Sequence, residues 1–211
     1  MHSPIDMVIM VHGLWMHPIV MYRLKHYLTH QGFQVKSFHY PSIRHSMADN
    51  VKKLHTMLRS IENETIHFVG HSLGGLVIRR LFHDFPIQKI GRIVTLGTPH
   101  QGSQVAKKLA NFTMGRWLLG QSVHAGLLGN IPNWQGQREL GNLVGTTSFG
   151  FGQLITTLPK PHDGTVSVVE CQLANVTDYV TLPVTHTSLL FSTQVAQQVT
   201  TFLHTGHFFH D

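Results

Sequence analysis

A short apolar run that ends in a glycine-flanked serine constrains this chain more than any other feature. Residues 66–69 read Ile-His-Phe-Val, Gly70-His71-Ser72-Leu73-Gly74-Gly75 follows, and a helical pattern runs on from Leu73 to His83. This is Gly-x-Ser-x-Gly in a strand–turn–helix setting, which puts the serine on a turn so tight that residues two positions away nearly touch. Side chains at 70 and 74 would clash there, and Gly75 lets the helix lie close to the sheet. Such a turn lifts the Ser72 hydroxyl above the sheet edge. It also aims a helix N-terminus at an oxygen that becomes negative when a carbonyl is attacked. Ser72 is therefore the candidate nucleophile.

The rest of the chain repeats the same alternation of short apolar runs and amphipathic segments, the pattern of βα units around a parallel sheet. Strands are expected at 7–11, 33–38, 66–69 and 93–96, with shorter ones at 143–145 and 179–182. Val20, Leu24, Tyr27 and Leu28 share one helical face. Ser46 and Asp49 form a capping box for a helix whose stripe is Val51, Leu54, Leu58 and Ile61. The helix after Ser72 should stop near Pro86. Ser192 caps a last helix that faces Val195, Val199, Phe202 and Leu203 inward and ends at Gly206. Residues 102–161 are less regular and rich in glycine, with Trp117 and Trp134 embedded. The 211 residues suit one domain, 1–211, without repeats or a low-complexity linker.

Charged residues make up only 12% of the chain, against about 25% in an average soluble domain. The formal charge of +6 is scattered. The densest basic pairs, Lys52-Lys53, Arg79-Arg80 and Lys107-Lys108, lie on expected helices, so no nucleic-acid stripe is expected. Cys171 is the only cysteine, which rules out a disulfide within the chain and favours a cytoplasmic setting. The N-terminal apolar stretch has no Lys or Arg before it and is too short to span a bilayer. It reads as a buried first strand, not a signal peptide, and no transmembrane segment is expected.

A serine nucleophile needs a base, an acid to orient that base, and two N–H donors for the oxyanion. The donors expected are the amides of Leu73, directly after Ser72, and Leu14, in the His12-Gly13-Leu14 turn after the first strand. In sites of this type the acid and then the histidine follow the serine in the chain. Six acids follow Ser72: Asp84, Glu139, Asp163, Glu170, Asp178 and Asp211. Asp84 ends the elbow helix, Glu139 and Asp178 precede or open strands at the wrong end of the sheet, and Asp211 has no histidine after it. Asp163, in a Pro-His-Asp-Gly loop beyond the fifth strand, is the preferred acid. Glu170 remains its rival, because it follows the apolar run 166–169. His186, just past the sixth strand, is the preferred base, since strand C-terminal edges host the site in open α/β sheets. His100 and His162 lack the expected position or order, and His204, His207 and His210 should be remote.

Val11-His12-Gly13-Leu14, the segment 70–75 and Leu96-Gly97-Thr98-Pro99-His100-Gln101-Gly102-Ser103 together resemble the lipase and esterase branch of the α/β-hydrolase superfamily. The segment 163–168 is similar to the part that carries the triad Asp there, and 186–190 to the part that carries the triad His. The resemblance spans 7–202. It implies a minimal α/β-hydrolase fold with about six mainly parallel strands, helices on both faces and no large cap, as in small bacterial lipases that lack a lid. The first two strands of the full fold have no counterpart. It also implies a Ser72–Asp163–His186 triad, an oxyanion hole at Leu14 and Leu73, no cofactor or metal, and a small acyl ester or lipid as substrate. Thioesterases, amidases and acyltransferases share such a site, and a non-catalytic binding module on the same fold is a further alternative. Transient contact with a membrane surface is compatible with the low charge and the Trp-bearing middle segment.

Phe112, Met114, Trp117, Leu118, Leu119, Leu127 and Leu128 could wall an acyl pocket or form a small flap, and ordinary core is an equal expectation. Cys171 is expected to be a buried structural thiol. The spacing of three between His204, His207 and His210 is expected to belong to a frayed terminus, not a metal site.

Overall fold

The protein is described by a computed structural model covering residues 5–86, 88–121 and 126–210. Asp211 and the first four residues lie outside that range. Six strands, β1 (Met7–Val11), β2 (Gln34–Phe38), β3 (Ile66–His71), β4 (Ile93–Leu96), β5 (Leu140–Gly145) and β6 (Asp178–Leu182), form one sheet in the order β2-β1-β3-β4-β5-β6. Every neighbouring pair is parallel. The C-terminal residues of all six strands therefore line one edge, where Val11 pairs with Phe38 and Gly70, Leu96 with Leu143, and Gly145 with Leu182.

Strands buried on both faces have no polar side to show, which is why β1, β3 and β4 read as continuous apolar runs. Successive side chains then serve opposite layers. Ile9 and Val11 join a core with Phe68, Ile93 and the helices α2 (Met47–Arg59) and α3 (Leu73–Asp84). Val8 and Met10 join Val69, Val94 and Leu96 in a second core under α1 (Tyr22–His30) and α7 (Thr193–Thr205). Edge strand β2 alternates, with Gln34 and Lys36 exposed and Val35 and Ser37 half-buried, before Phe38 turns into the core. The Ser46 hydroxyl accepts the Asp49 amide at 3.1 Å and starts α2. Ser192 does the same for Val195, and Gly206, at φ 84°, ends α7.

The structure corrects two expectations. The irregular segment contains three short helices, α4 (Gln104–Ala110), α5 (Thr113–Leu119) and α6 (Gly152–Ile155), and β5 begins three residues earlier than its apolar core suggests. Gly141 hides the start of β5 because the Phe202 and Phe208 rings lie against it; a Cβ there would sit 2.7 Å from both. Asn142 is polar yet fully buried, its amide donating to Cys171 O at 2.6 Å and accepting from Thr95 Oγ1 at 3.1 Å.

Residues 206–210 are not frayed. The Gln198 side chain clamps Phe209 through two 2.8 Å hydrogen bonds, and the Phe208 amide donates to Asp178 at 2.7 Å. His210 lies 2.9 Å from the same carboxylate. Among the described residues no group of three or more His, Cys, Asp or Glu side chains could hold a metal ion. No helix among them is long and apolar enough to cross a membrane. Cys171 is fully buried, and burial pushes its thiol well above the usual value.

Candidate active site

The turn between β3 and α3 holds Ser72 at φ 54°, ψ −121°, a left-handed conformation that a residue with a side chain adopts only when its surroundings enforce it. The enforcement is visible. The Ser72 amide donates to Leu96 O at 2.9 Å, and the Ser72 carbonyl accepts from Gly75 N at 3.1 Å and Thr98 Oγ1 at 3.0 Å. A Cβ on Gly70 would lie 2.6 Å from Gly75 N, and one on Gly74 would run into the Val11 and His12 carbonyls. Leu73 is the first residue of α3, so its amide has no acceptor inside the helix.

The turn after β1 is drawn against this elbow. Gly13 lies so close that a Cβ would sit 3.1 Å from Ser72 Cβ. The Tyr40 hydroxyl donates to His12 O at 2.7 Å, and its ring stacks on His12 at 4.4 Å. Burial lowers the His12 pKa to about 4, so His12 is neutral near pH 7. Trp15 then ties the turn to α5 by donating Nε1–H to Leu118 O at 2.8 Å.

Asp163 follows β5 and His186 follows β6, so parallel strands deliver both to the same edge. His186 Nδ1 lies 2.6 Å from Asp163 Oδ2, and the His186 amide donates to Asp163 O at 2.8 Å. The other carboxylate oxygen, Oδ1, accepts from the amides of Thr165 at 2.9 Å and Val166 at 2.7 Å. Asp163 is fully buried. Burial alone would raise its pKa, but the facing His186 and the two amides outweigh it and hold the carboxyl below the usual value. Gly97, at φ 55°, makes room for the pair, since a Cβ there would be 3.0 Å from both Asp163 Oδ2 and His186 Nδ1. Leu14, Ser72 and His186 line one cavity of about 270 Å³.

The other candidates are engaged elsewhere. Glu170 accepts from the Ser167 amide and hydroxyl at 2.7 and 2.5 Å and from the Gln104 amide at 2.6 Å. His162 Nδ1 accepts the Gly164 amide at 3.0 Å. His100 sits between Arg79 and Thr95. His204 stacks on Phe33. Asp84 pairs with Arg80, and Glu139 with Arg92.

His71 is the residue that sequence reasoning missed. It occupies a free position of the motif, so nothing in the pattern marks it. It is fully buried with its ring 4.7 Å from that of His186, and burial lowers its pKa to about 3. The neutral ring must carry its proton on Nε2 to donate to His186 O at 3.1 Å, which fixes the backbone of the histidine loop.

The cavity wall is apolar. Leu109, Leu119, Leu127, Phe151 and Val166 face it, with Ser103 and Thr165 as polar members. Leu119 and Leu127 are buried, and Leu128 packs against the core. Phe112, Met114, Trp117 and Leu118 are exposed, Trp117 by 78%, so the ordinary-core expectation fails for these four.

A parallel six-stranded sheet between two helical layers, with a strained serine turn after β3, is the α/β-hydrolase fold. Residues 8–128 match the family described as a domain of unknown function (DUF7379), and the chain belongs to that family. The fold is shared with solved structures. A lipase of Bacillus licheniformis in its mature form superposes with a TM-score of 0.75 at 20% identity, over 97% of this chain and 93% of the lipase. A metagenomic carboxyl esterase gives 0.71 at 16% identity, over 88% of this chain and 65% of the esterase. A carboxylesterase of Bacillus subtilis gives 0.60 at 14% identity, over 97% and 85%. A search of curated protein sequences found no match.

Proposed function

We propose that this chain hydrolyses carboxylic esters through an acyl-enzyme on Ser72. The observation that carries the reading is the 2.6 Å His186–Asp163 contact beside a cavity that Ser72 also lines. His186 Nε2 takes the Ser72 proton as Oγ forms a bond to the acyl carbon. The amides of Leu14 and Leu73 receive the developing oxyanion. His186 returns the proton to the leaving alcohol as the ester bond breaks, then deprotonates a water that releases the acid and restores Ser72. Asp163 holds the Nδ1–H tautomer of His186 and stabilises its charged form. The neighbours described as lipase and carboxylesterase agree with this chemistry.

The apolar wall suits an acyl chain, and the surroundings suit a lipid surface. Trp15, Ile19, Phe112, Met114, Trp117, Phe151 and Leu154 are exposed large apolar residues on the loops and short helices of this edge. Lys107, Lys108 and Arg116 lie among them on α4 and α5. The test is a panel of p-nitrophenyl esters of graded chain length, run with Ser72→Ala. Turnover should fall by about 10⁴-fold or more, with the thermal midpoint within a few degrees of the parent. Undiminished turnover in the variant overturns the reading, and faster turnover of matched thioesters reassigns the substrate. Co-sedimentation with anionic vesicles should weaken about tenfold in Trp117→Ala, as expected from one lost apolar anchor.

A further inference from the structure

A second cavity, of about 350 Å³, lies on the other side of the loop that walls the catalytic pocket. Pro99 and Ser103 of that loop face the catalytic cavity, while His100 and Gln101 face the second one. The second cavity differs in kind, with Arg79, Asn133, Trp134 and Asn175 among the residues that line it. None of its lining residues is acidic.

Arg79, on α3, is only 4% exposed. Its guanidinium donates to His100 O at 2.9 Å, to His100 Nδ1 at 3.2 Å and to Pro132 O at 2.8 Å. All three acceptors are uncharged. No ion pair to Arg79 occurs among the described residues, and burial, which lowers its pKa to about 10, still leaves it cationic near pH 7. Glu170, whose carbonyl accepts the Gln101 amide, has its carboxylate committed to Ser167 and Gln104. Arg79 Nε has no hydrogen-bond partner, and neither does Nε1 of Trp134, which is 3% exposed.

A buried charge without a counter-charge is unfavourable by several kcal/mol, so buried charges are normally paired. The clamp on three neutral acceptors does not neutralise Arg79. A planar guanidinium and an indole N–H, from two residues that line one cavity, suit an oxygen anion, which can accept from both and supplies the missing charge. We infer that Arg79, His100 and Trp134 form a binding site for a small oxyanion, a carboxylate or a phosphoryl group, behind the wall of the acyl pocket. The His100 ring extends the site inward: its Nδ1 accepts from Arg79, its Nε2 meets Thr95 Oγ1 at 3.2 Å, and Thr95 donates to Asn142 of β5. An anion at Arg79 thus stiffens the 99–103 loop without touching Ser72.

The three tryptophans of the chain make the test direct. The ¹⁵N-labelled protein is titrated with sodium phosphate, sodium acetate and sodium chloride at constant ionic strength while the indole N–H signals are followed. The Trp134 signal, assigned by its loss in Trp134→Phe, should move saturably with at least one oxyanion and not with chloride. The Trp15 and Trp117 signals should stay in place. Response to acetate alone makes the ligand a carboxylate, and response to phosphate alone makes it a phosphoryl group. Calorimetry should show affinity reduced at least tenfold in Arg79→Met. A stationary Trp134 signal, an equal shift with chloride, or undiminished affinity in folded Arg79→Met overturns the site. The wild-type titration decides the matter even where Arg79→Met fails to fold.

Discussion

The two edges of the sheet are built from the same six strands and carry opposite kinds of residue. At the N-terminal edge the chain places Asp6, Glu62, Glu64, Glu139 and Asp178, with Asp84 at the end of antiparallel α3: Glu139 pairs with Arg92 and Asp84 with Arg80, while Asp6 lies 3.3 Å from His67 and Asp178 2.9 Å from His210. The connections at the C-terminal edge, 12–21, 39–46, 97–138, 146–162 and 183–192, contain no Asp or Glu at all. Asp163 and Glu170 are there, but buried and fully engaged. One edge is thus a solvated seam, and the other is apolar, lightly basic and fitted with Ser72, His186 and the hidden Asp163 carboxylate, with Glu170 buried near Gln104 and Asp49 exposed at the start of α2. The difference teaches that acids are few on the open edge and that two of its three are buried, whereas those of the closed end are mostly solvated.

The sharpest way to break that contrast is to alter the hidden carboxylate. Asp163→Asn should lower kcat/KM for esters by about 10³–10⁴-fold, or roughly 4–5 kcal/mol, because the amide no longer favours the working tautomer of His186. Glu170→Gln should leave kcat/KM within about threefold and instead cost about 1–3 kcal/mol of stability through weakened buried hydrogen bonds. Steady-state kinetics and denaturant melts on both variants separate the two carboxylates. The reverse pattern would exchange their roles.

Acid should come next in size. His12 and His71 have folded-state pKa values lowered to about 4 and about 3 from the ordinary 6.5. Below pH 6.5 the unfolded chain therefore binds protons that the folded chain refuses, and stability falls as pH falls. Between pH 7 and 5 each histidine should remove about 2 kcal/mol. The loss from His71 levels off only near pH 3. His100 and His67, whose pKa values burial also lowers, add loss in the same direction. Urea melts across that window should show the slope, and His71→Gln should remove about 2 kcal/mol of it. A stability independent of pH there would contradict buried neutral rings. The depressed Asp163 carboxyl adds loss in the same direction, but only as pH drops below its ordinary value of 3.8.

The smallest effect belongs to the other edge. The Arg92–Glu139 pair is partly exposed, so Glu139→Gln should cost about 1 kcal/mol or less and leave ester turnover unchanged. A loss of turnover there would mean that the two edges are not independent.

Much of this was legible in the sequence because the fold buries both faces of its central strands. β1, β3 and β4 show as apolar runs, and Gly70 and Gly74 show because the turn tolerates no Cβ there. The candidate acid was harder to read, since Asp163 and Glu170 both follow apolar stretches, and no local pattern records that Asp163 faces His186 while Glu170 faces Ser167 and Gln104. β5 was shortened in the reading because Gly141 and Asn142 look like loop residues until the phenylalanines and Thr95 that fit them are known. α5 was hidden because its apolar residues point both to the pocket and to solvent, which blurs the helical stripe. The clamp of Gln198 on Phe209 and the partners of His71 and Arg79 join segments distant in sequence, and no local pattern records such contacts.

The central claim is that Ser72 is a nucleophile activated by His186. The direct measurement is incubation of the full chain with a fluorophosphonate probe, followed by peptide mass spectrometry. The account predicts one adduct per chain, on the peptide carrying Ser72, and loss of labelling in Ser72→Ala and His186→Ala. A folded wild-type protein that takes no label, or takes it elsewhere, would contradict it.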